Sequence, residues 1–287
     1  MALGLCTLAA QAQNALTFSR IDRDPVLAGT AGASVASTGT MAWSAFHNAA
    51  VIPFVAPEFD AAVSYQFWSP QLAKASHVNA GLAYRFNDKM GLSLGFAYQG
   101  GEKFDDFVPK DLLACVGFGI GLGDKFSVGV NARFASQMLA KDITFTGFSG
   151  DVSLLFHASD ALNLLAGVGT LGTSVVSSSG IKFPQPAYSQ LGVDYTFALG
   201  QEAALKADAS AEYYFSGSFA AAAGLQFDWT FLSARAGYRF ATENCVLPSH
   251  LALGLGARFG GFRVDVSYLT ASPALGNTLT AGLGFSF

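Results

Sequence analysis

The chain has 287 residues, 51% of them hydrophobic and only 13% charged, with a formal net charge of −4 at pH 7. Apolar content this high excludes a disordered chain, and the acidic balance offers no basic surface for a nucleic-acid partner. The 32 glycines and 26 phenylalanines beside so few charges point to a membrane or a very large core.

Residues 1–12 carry a short apolar stretch, Met1 to Ala10, and Ala10-Gln11-Ala12 fits a small-residue cleavage site. The expectation is a signal-peptide remnant with a mature start at Gln13, which removes Cys6. Leu5 just before Cys6 argues against a lipoprotein signal. Export fits an oxidising compartment. Cys115 falls in a predicted strand and Cys245 in a predicted loop, so no disulfide is expected between them.

Residues 13–57 do not alternate. Arg20, Asp22, Arg23 and Asp24 open the segment, a Gly/Ala/Ser-rich run follows, and "TGTMAWSAFHN" predicts a short helix with Thr38 or Thr40 as N-cap. The stretch from Val26 to Pro57 lacks Asp, Glu, Lys and Arg, as does Ala161 to Ile181. Gly, Ser and Thr interrupt both, so neither reads as a membrane helix.

From Glu58 onward the period is 2. Fourteen segments alternate, at 59–68, 76–87, 90–100, 111–122, 125–135, 151–158, 160–170, 188–199, 202–215, 218–229, 231–241, 249–259, 262–270 and 278–287. Most are near the 9–11 residues of a tilted outer-membrane strand. Each has one apolar face with no charge on it, as in Phe126, Val128, Val130, Ala132 and Phe134. A basic residue facing lipid at mid-depth costs about 2–4 kcal/mol. The opposite face is small and polar, and carries Arg85, Arg133, Asp194, Asp208, Glu212, Asp228, Arg235, Arg239, Arg258 and Arg263. Many glycines share it, as they would where another backbone must come close.

A soluble sandwich would alternate too, but the connections discriminate. Even-to-odd links are tight ("NDK", "GDK", "ASD", "GQE", "GG"). The three-to-four, five-to-six, seven-to-eight and eleven-to-twelve links are long. Segregation by parity matches a transmembrane barrel with short periplasmic turns. Phe86, Phe126, Phe197, Phe227, Phe259, Phe262 and Phe287 fall near the short turns, as an interfacial girdle should. The predicted architecture is an all-β, 14-stranded antiparallel transmembrane barrel over 58–287, with 13–57 as a plug in its lumen. The last segment closes the ring onto the first. Its Leu283, Phe285 and Phe287 are similar to the C-terminal assembly signal of bacterial outer-membrane proteins, which implies recognition by the insertion machinery.

The stretch "AGTAGASVAST…AWSAFHNAA" resembles the N-terminal pattern of the FadL superfamily, and "AFHNAA" is most similar to its PorV/PorQ branch in Bacteroidota. Trp43, Phe46, Asn48 and Ala49 occupy the motif positions. Ala49 stands where Pro is usual, and a Pro follows only at Pro53. The superfamily resemblance implies a channel for hydrophobic compounds. The branch resemblance implies an accessory in type IX secretion, within a complex of outer-membrane or periplasmic proteins. The modest loops turn the expectation toward the accessory role. A transporter predicts a continuous apolar tunnel with a lateral gap. A diffusion porin is the third possibility.

Enzyme and cofactor motifs are weak. "GVGTLG" (167–172) matches G-x-G-x-x-G without a following helix. The four His residues lack ligand spacing. Glu102, Asp105 and Asp106 read as a solvated acidic loop. Ser153 and His157 share a strand face but stand roughly 13 Å apart. No cofactor, metal or catalytic residue is expected. The inward charges are expected to pair with one another and with Arg20, Asp22, Arg23 and Asp24, or else to set a transverse field across an open pore.

Overall fold

The computed structural model describes residues 14–68, 75–103, 106–176, 180, 182–270, 272 and 277–287. Its main element is a closed antiparallel barrel of fourteen strands. In chain order these are β1 Phe59–Trp68, β2 Ala75–Asn87, β3 Met90–Gly101, β4 Lys110–Leu122, β5 Phe126–Ala140, β6 Ile143–Ser159 and β7 Leu162–Gly172. The ring continues through β8 Tyr188–Ala198, β9 Ala203–Tyr214, β10 Phe219–Trp229, β11 Leu232–Ala241, β12 His250–Phe259, β13 Phe262–Thr270 and β14 Thr278–Ser286. Each strand pairs with its sequence neighbour, and β14 returns to β1 from Asp60↔Ser286 to Phe67↔Leu279. Closure gives every strand two hydrogen-bonded neighbours and leaves no edge, which a wall in hydrocarbon requires.

The alternation sets which face meets lipid. Along β5, Val130 is about half exposed on the outside, while Ser127, Asn131 and Arg133 are buried on the inside. The girdle phenylalanines are all exposed. Phe287 stacks on Phe59, and Phe285 packs on Phe262, so the chain end is fixed to both neighbouring strands.

Two expectations fail. The five-to-six link is not a long loop: β5 and β6 run on and pair up to Ala140↔Ile143, leaving only Lys141 and Asp142 between them. The seven-to-eight link holds a small hairpin of Val175–Val176 with Lys182–Phe183. The second failure concerns "TGTMAWSAFHN". Residues 42–46 form turns, not a helix. The ordered elements of the N-terminal segment are 3-10 helices at Thr17–Arg20 and Ala49–Phe54, and a short α-helix, α1, at Pro25–Gly29. The cap is Asn48 rather than Thr38 or Thr40, its side chain accepting from the Ala50 N–H. The proposed leader, 1–12, lies outside the described residues, as does Asp105.

Candidate functional site

The inward wall and the N-terminal segment meet through a continuous set of polar bonds. β5 presents Ser127, Asn131 and Arg133 on alternate residues, because period 2 places them on one face. The Ser127 hydroxyl donates to the Ala50 carbonyl. Asn131 donates to the carbonyls of Ser44 and Ala45, both at 2.8 Å, and accepts from the Ala49 N–H. Arg133 donates to the Phe46 carbonyl at 2.6 Å. Ser153 on β6 donates to Asn48 at 2.7 Å. Irregular backbone inside a barrel needs such partners for its N–H and C=O groups. Ala49, where the resembling pattern carries Pro, supplies an N–H that Pro lacks.

Glycine makes this approach possible. A Cβ at Gly129 would collide with the backbone of Ala49 and Ala50, and one at Gly237 with that of Thr30. Side chains at these inward positions would hold the segment away from the wall.

The inward face is less uniformly polar than expected. Leu113 on β4, Leu155 on β6 and Leu165 on β7 are also buried there. Leu155 and Leu165 join Met41, Val51, Ile52 and Val55 of the segment in one apolar cluster. Leu113 and Cys115 join another with Leu16, Phe18, Ile21, Trp43, Phe46, Val175 and Leu247. Several of its members come from the long-loop side of the barrel.

Many of the buried charges pair. Arg133 pairs with Asp151, Arg235 with Asp265 at 2.7 Å, and Arg263 with Asp60 at 2.6 Å. Arg239 and Arg20 share Glu212, and the Arg20 guanidinium also lies 3.7 Å from the Tyr188 ring centroid. Asp60 accepts from the Met41 and Ala42 N–H groups as well. Arg23 differs from expectation: it donates to the carbonyls of Phe18, Ser19 and Ile21. Asp24 caps α1. Asp194 and Asp208 face each other across β8 and β9, with Asn163 donating to Asp194. Arg85 and Arg258 stand at the short-turn rim, Arg85 half-buried and Arg258 exposed to solvent, and Arg85 donates to the Ala56 carbonyl.

Sequence reasoning missed Asp60 and Asp151. Both stand at the start of their predicted segments, but they share parity with Gln66 and Ser153, and that alone would have placed them inward. "GVGTLG" lies in β7, where Thr170 takes a left-handed backbone (φ 53°) at a register shift and donates its N–H to Asp151. His157 bonds Asn163 and stacks on Phe54, apart from Ser153. Cys115 and Cys245 are both free.

Cavities of about 60 and 20 Å³, with Leu27, Val35 and His47 lining both, lie between segment and wall. Among the described residues the ladder closes all the way round, so the wall shows none of the lateral gap expected of a transporter.

This architecture defines a class by its fold alone: a closed fourteen-strand antiparallel barrel. Its structural neighbours include the toluene transporter TbuX of Ralstonia pickettii, with a TM-score of 0.62 at 12% identity over 92% of this chain and 98% of that one. The CymD monoaromatic hydrocarbon channel aligns with a TM-score of 0.65 at 12% identity, over 92% and 97% of the two chains. A Pseudomonas aeruginosa FadL homologue gives 0.58 at 11%, over 92% and 95%. No family model and no curated protein matches the chain. The first of these is described as a transporter and the second as a channel. The fold and its apolar exterior are consistent with an integral protein of the bacterial outer membrane, in contact with lipid.

Proposed function

We propose that this protein is a FadL-type outer-membrane transporter for small hydrophobic compounds, with residues 14–57 as a movable plug. The observation carrying the reading is a fold shared, over more than nine-tenths of this chain, with proteins described as toluene and monoaromatic-hydrocarbon channels. The apolar cluster of Leu16, Phe18, Leu113 and Val175 supports it, because it places buried apolar side chains between segment and wall next to the long-loop mouth. Passage then requires the plug to shift, since Ser127, Asn131, Arg133 and Ser153 hold it against the wall. The test is uptake of labelled toluene by vesicles whose outer leaflet is lipopolysaccharide. Vesicles holding the protein should fill faster than empty ones; equal rates would overturn the reading.

A second reading has its own support. The "AFHNAA" stretch is bonded to wall side chains through the Ala45, Phe46 and Ala50 carbonyls and the Ala49 N–H, and a firmly seated plug suits an accessory subunit of surface-protein export that passes nothing itself. Purification from native membranes would then recover stoichiometric outer-membrane or periplasmic partners, and a barrel that always purifies alone would remove this reading.

A further inference from the structure

The barrel is closed, but its strands do not all end at one height. On the long-loop side β7 stops at Gly172, opposite Ser149, while β6 reaches out to Ile143. The cause is local. Thr170 turns left-handed at a register shift. The Gln185 side chain then donates to the carbonyls of Phe148 and Thr173, at 2.9 and 3.0 Å, and ends the ladder. Among the described residues, β6 pairs with β5 alone from Ile143 to Phe148.

The Phe148 carbonyl turns away from β5 to meet Gln185. Alternation along an antiparallel pair turns the N–H and C=O of Thr146 and Thr144 the same way. Among the described residues no backbone hydrogen bond reaches either of them from that side. Both residues are exposed. Such an edge is not tolerated in hydrocarbon, so it belongs above the membrane. Native edges in water are commonly guarded by Pro or by charge. The stretch "ITFTGF" (143–148) has neither, and its β-branched and aromatic residues favour an extended chain.

What fits an open edge is one more strand. Ile143 and Phe145 share one face of β6, with Phe145 edge-on to Phe183, and Thr144 and Thr146 share the other. Lys110, Lys141 and Lys182 stand exposed around the edge, with no ion-pair partner among the described residues. Asp142 is the exposed acid beside them, since Asp111 is buried. The surroundings therefore favour an acidic strand. A second copy in the same membrane would bring its edge at the opposite tilt, so the two strands would cross rather than pair. We propose that this edge of β6 takes up, by strand addition, an extended acidic segment of another protein at the cell surface. The proposal needs neither the transport nor the export reading.

The probe is a labelled synthetic peptide in which Val and Thr alternate between terminal Glu residues. It is titrated into the detergent-solubilised full chain and followed by fluorescence anisotropy. Saturable binding is expected. Thr146→Pro removes an N–H that β5 does not use, so the barrel should keep its fast-migrating form in unboiled gels. Peptide affinity should fall about tenfold, the scale of one lost hydrogen bond. Lys141→Glu combined with Lys182→Glu should weaken this peptide and strengthen a Lys-flanked counterpart. The same peptide N-methylated along its backbone should not bind. Absence of saturable binding, equal binding of the N-methylated peptide, or an affinity unchanged in Thr146→Pro overturns the proposal. Toluene uptake by vesicles is scored separately, so transport can stand where strand addition fails, and the reverse.

Discussion

Arg133 shows how one side chain joins wall to segment. It pairs with Asp151, donates to the Phe46 carbonyl, and lies 3.4 Å from the Thr170 hydroxyl. Arg133→Ala leaves Asp151 buried without its cation, a change that costs about 3–5 kcal/mol. The variant should lose its compact, fast-migrating form in unboiled detergent gels at a clearly lower temperature than the parent. Gly129 makes a complementary case. Gly129→Val inserts a branched side chain where the Ala49 and Ala50 backbone lies. Overpacking of this kind costs about 1–3 kcal/mol, and it should dislodge the segment while the barrel stays folded. Limited proteolysis should then cut within 14–57, with the barrel fragment surviving. At this scale the sequence was legible wherever parity was followed: Arg133, Arg239 and Glu212 point where alternation puts them. Arg23 was not legible, because its partners are carbonyls of an irregular segment, which no periodic pattern announces.

At the scale of elements, the strands were readable because lipid imposes one apolar face on each. That constraint ends at the membrane surface, which explains the miss at β5 and β6. Beyond it neither face need be apolar, so 136–150 lost its period-2 signal although the ladder continues. The Lys141–Asp142 tip is then a tight turn on the long-loop side. An epitope inserted there should be tolerated and labelled on intact cells, and labelling only after permeabilisation would reverse the assigned orientation. β14 gives a second test. Leu283 is 58% exposed on the outer face, and Leu283→Arg should cost about 2–4 kcal/mol in folding from denaturant into vesicles. The segment 42–54 was misread for a different reason. Its helix starts after Asn48, whose capping role was hidden behind its place in a motif.

For the whole molecule, the sequence disclosed the barrel but not the balance inside it. Composition showed polar inward residues and an apolar N-terminal stretch, without showing that Leu155 and Leu165 also turn inward to meet Ile52 and Val51. Those contacts require the three-dimensional path of an irregular chain. Taken together, ion pairs, backbone bonds and apolar clusters hold residues 14–57 against strands all around the ring, and the proposed role of that segment is to close the lumen until a ligand shifts it. Single-channel conductance in planar bilayers, comparing the full chain with a variant lacking 14–57, tests this most directly. The account predicts a nearly silent parent and a steadily conducting deletion variant. A deletion variant that inserts as a folded barrel yet conducts no more than the parent would contradict it.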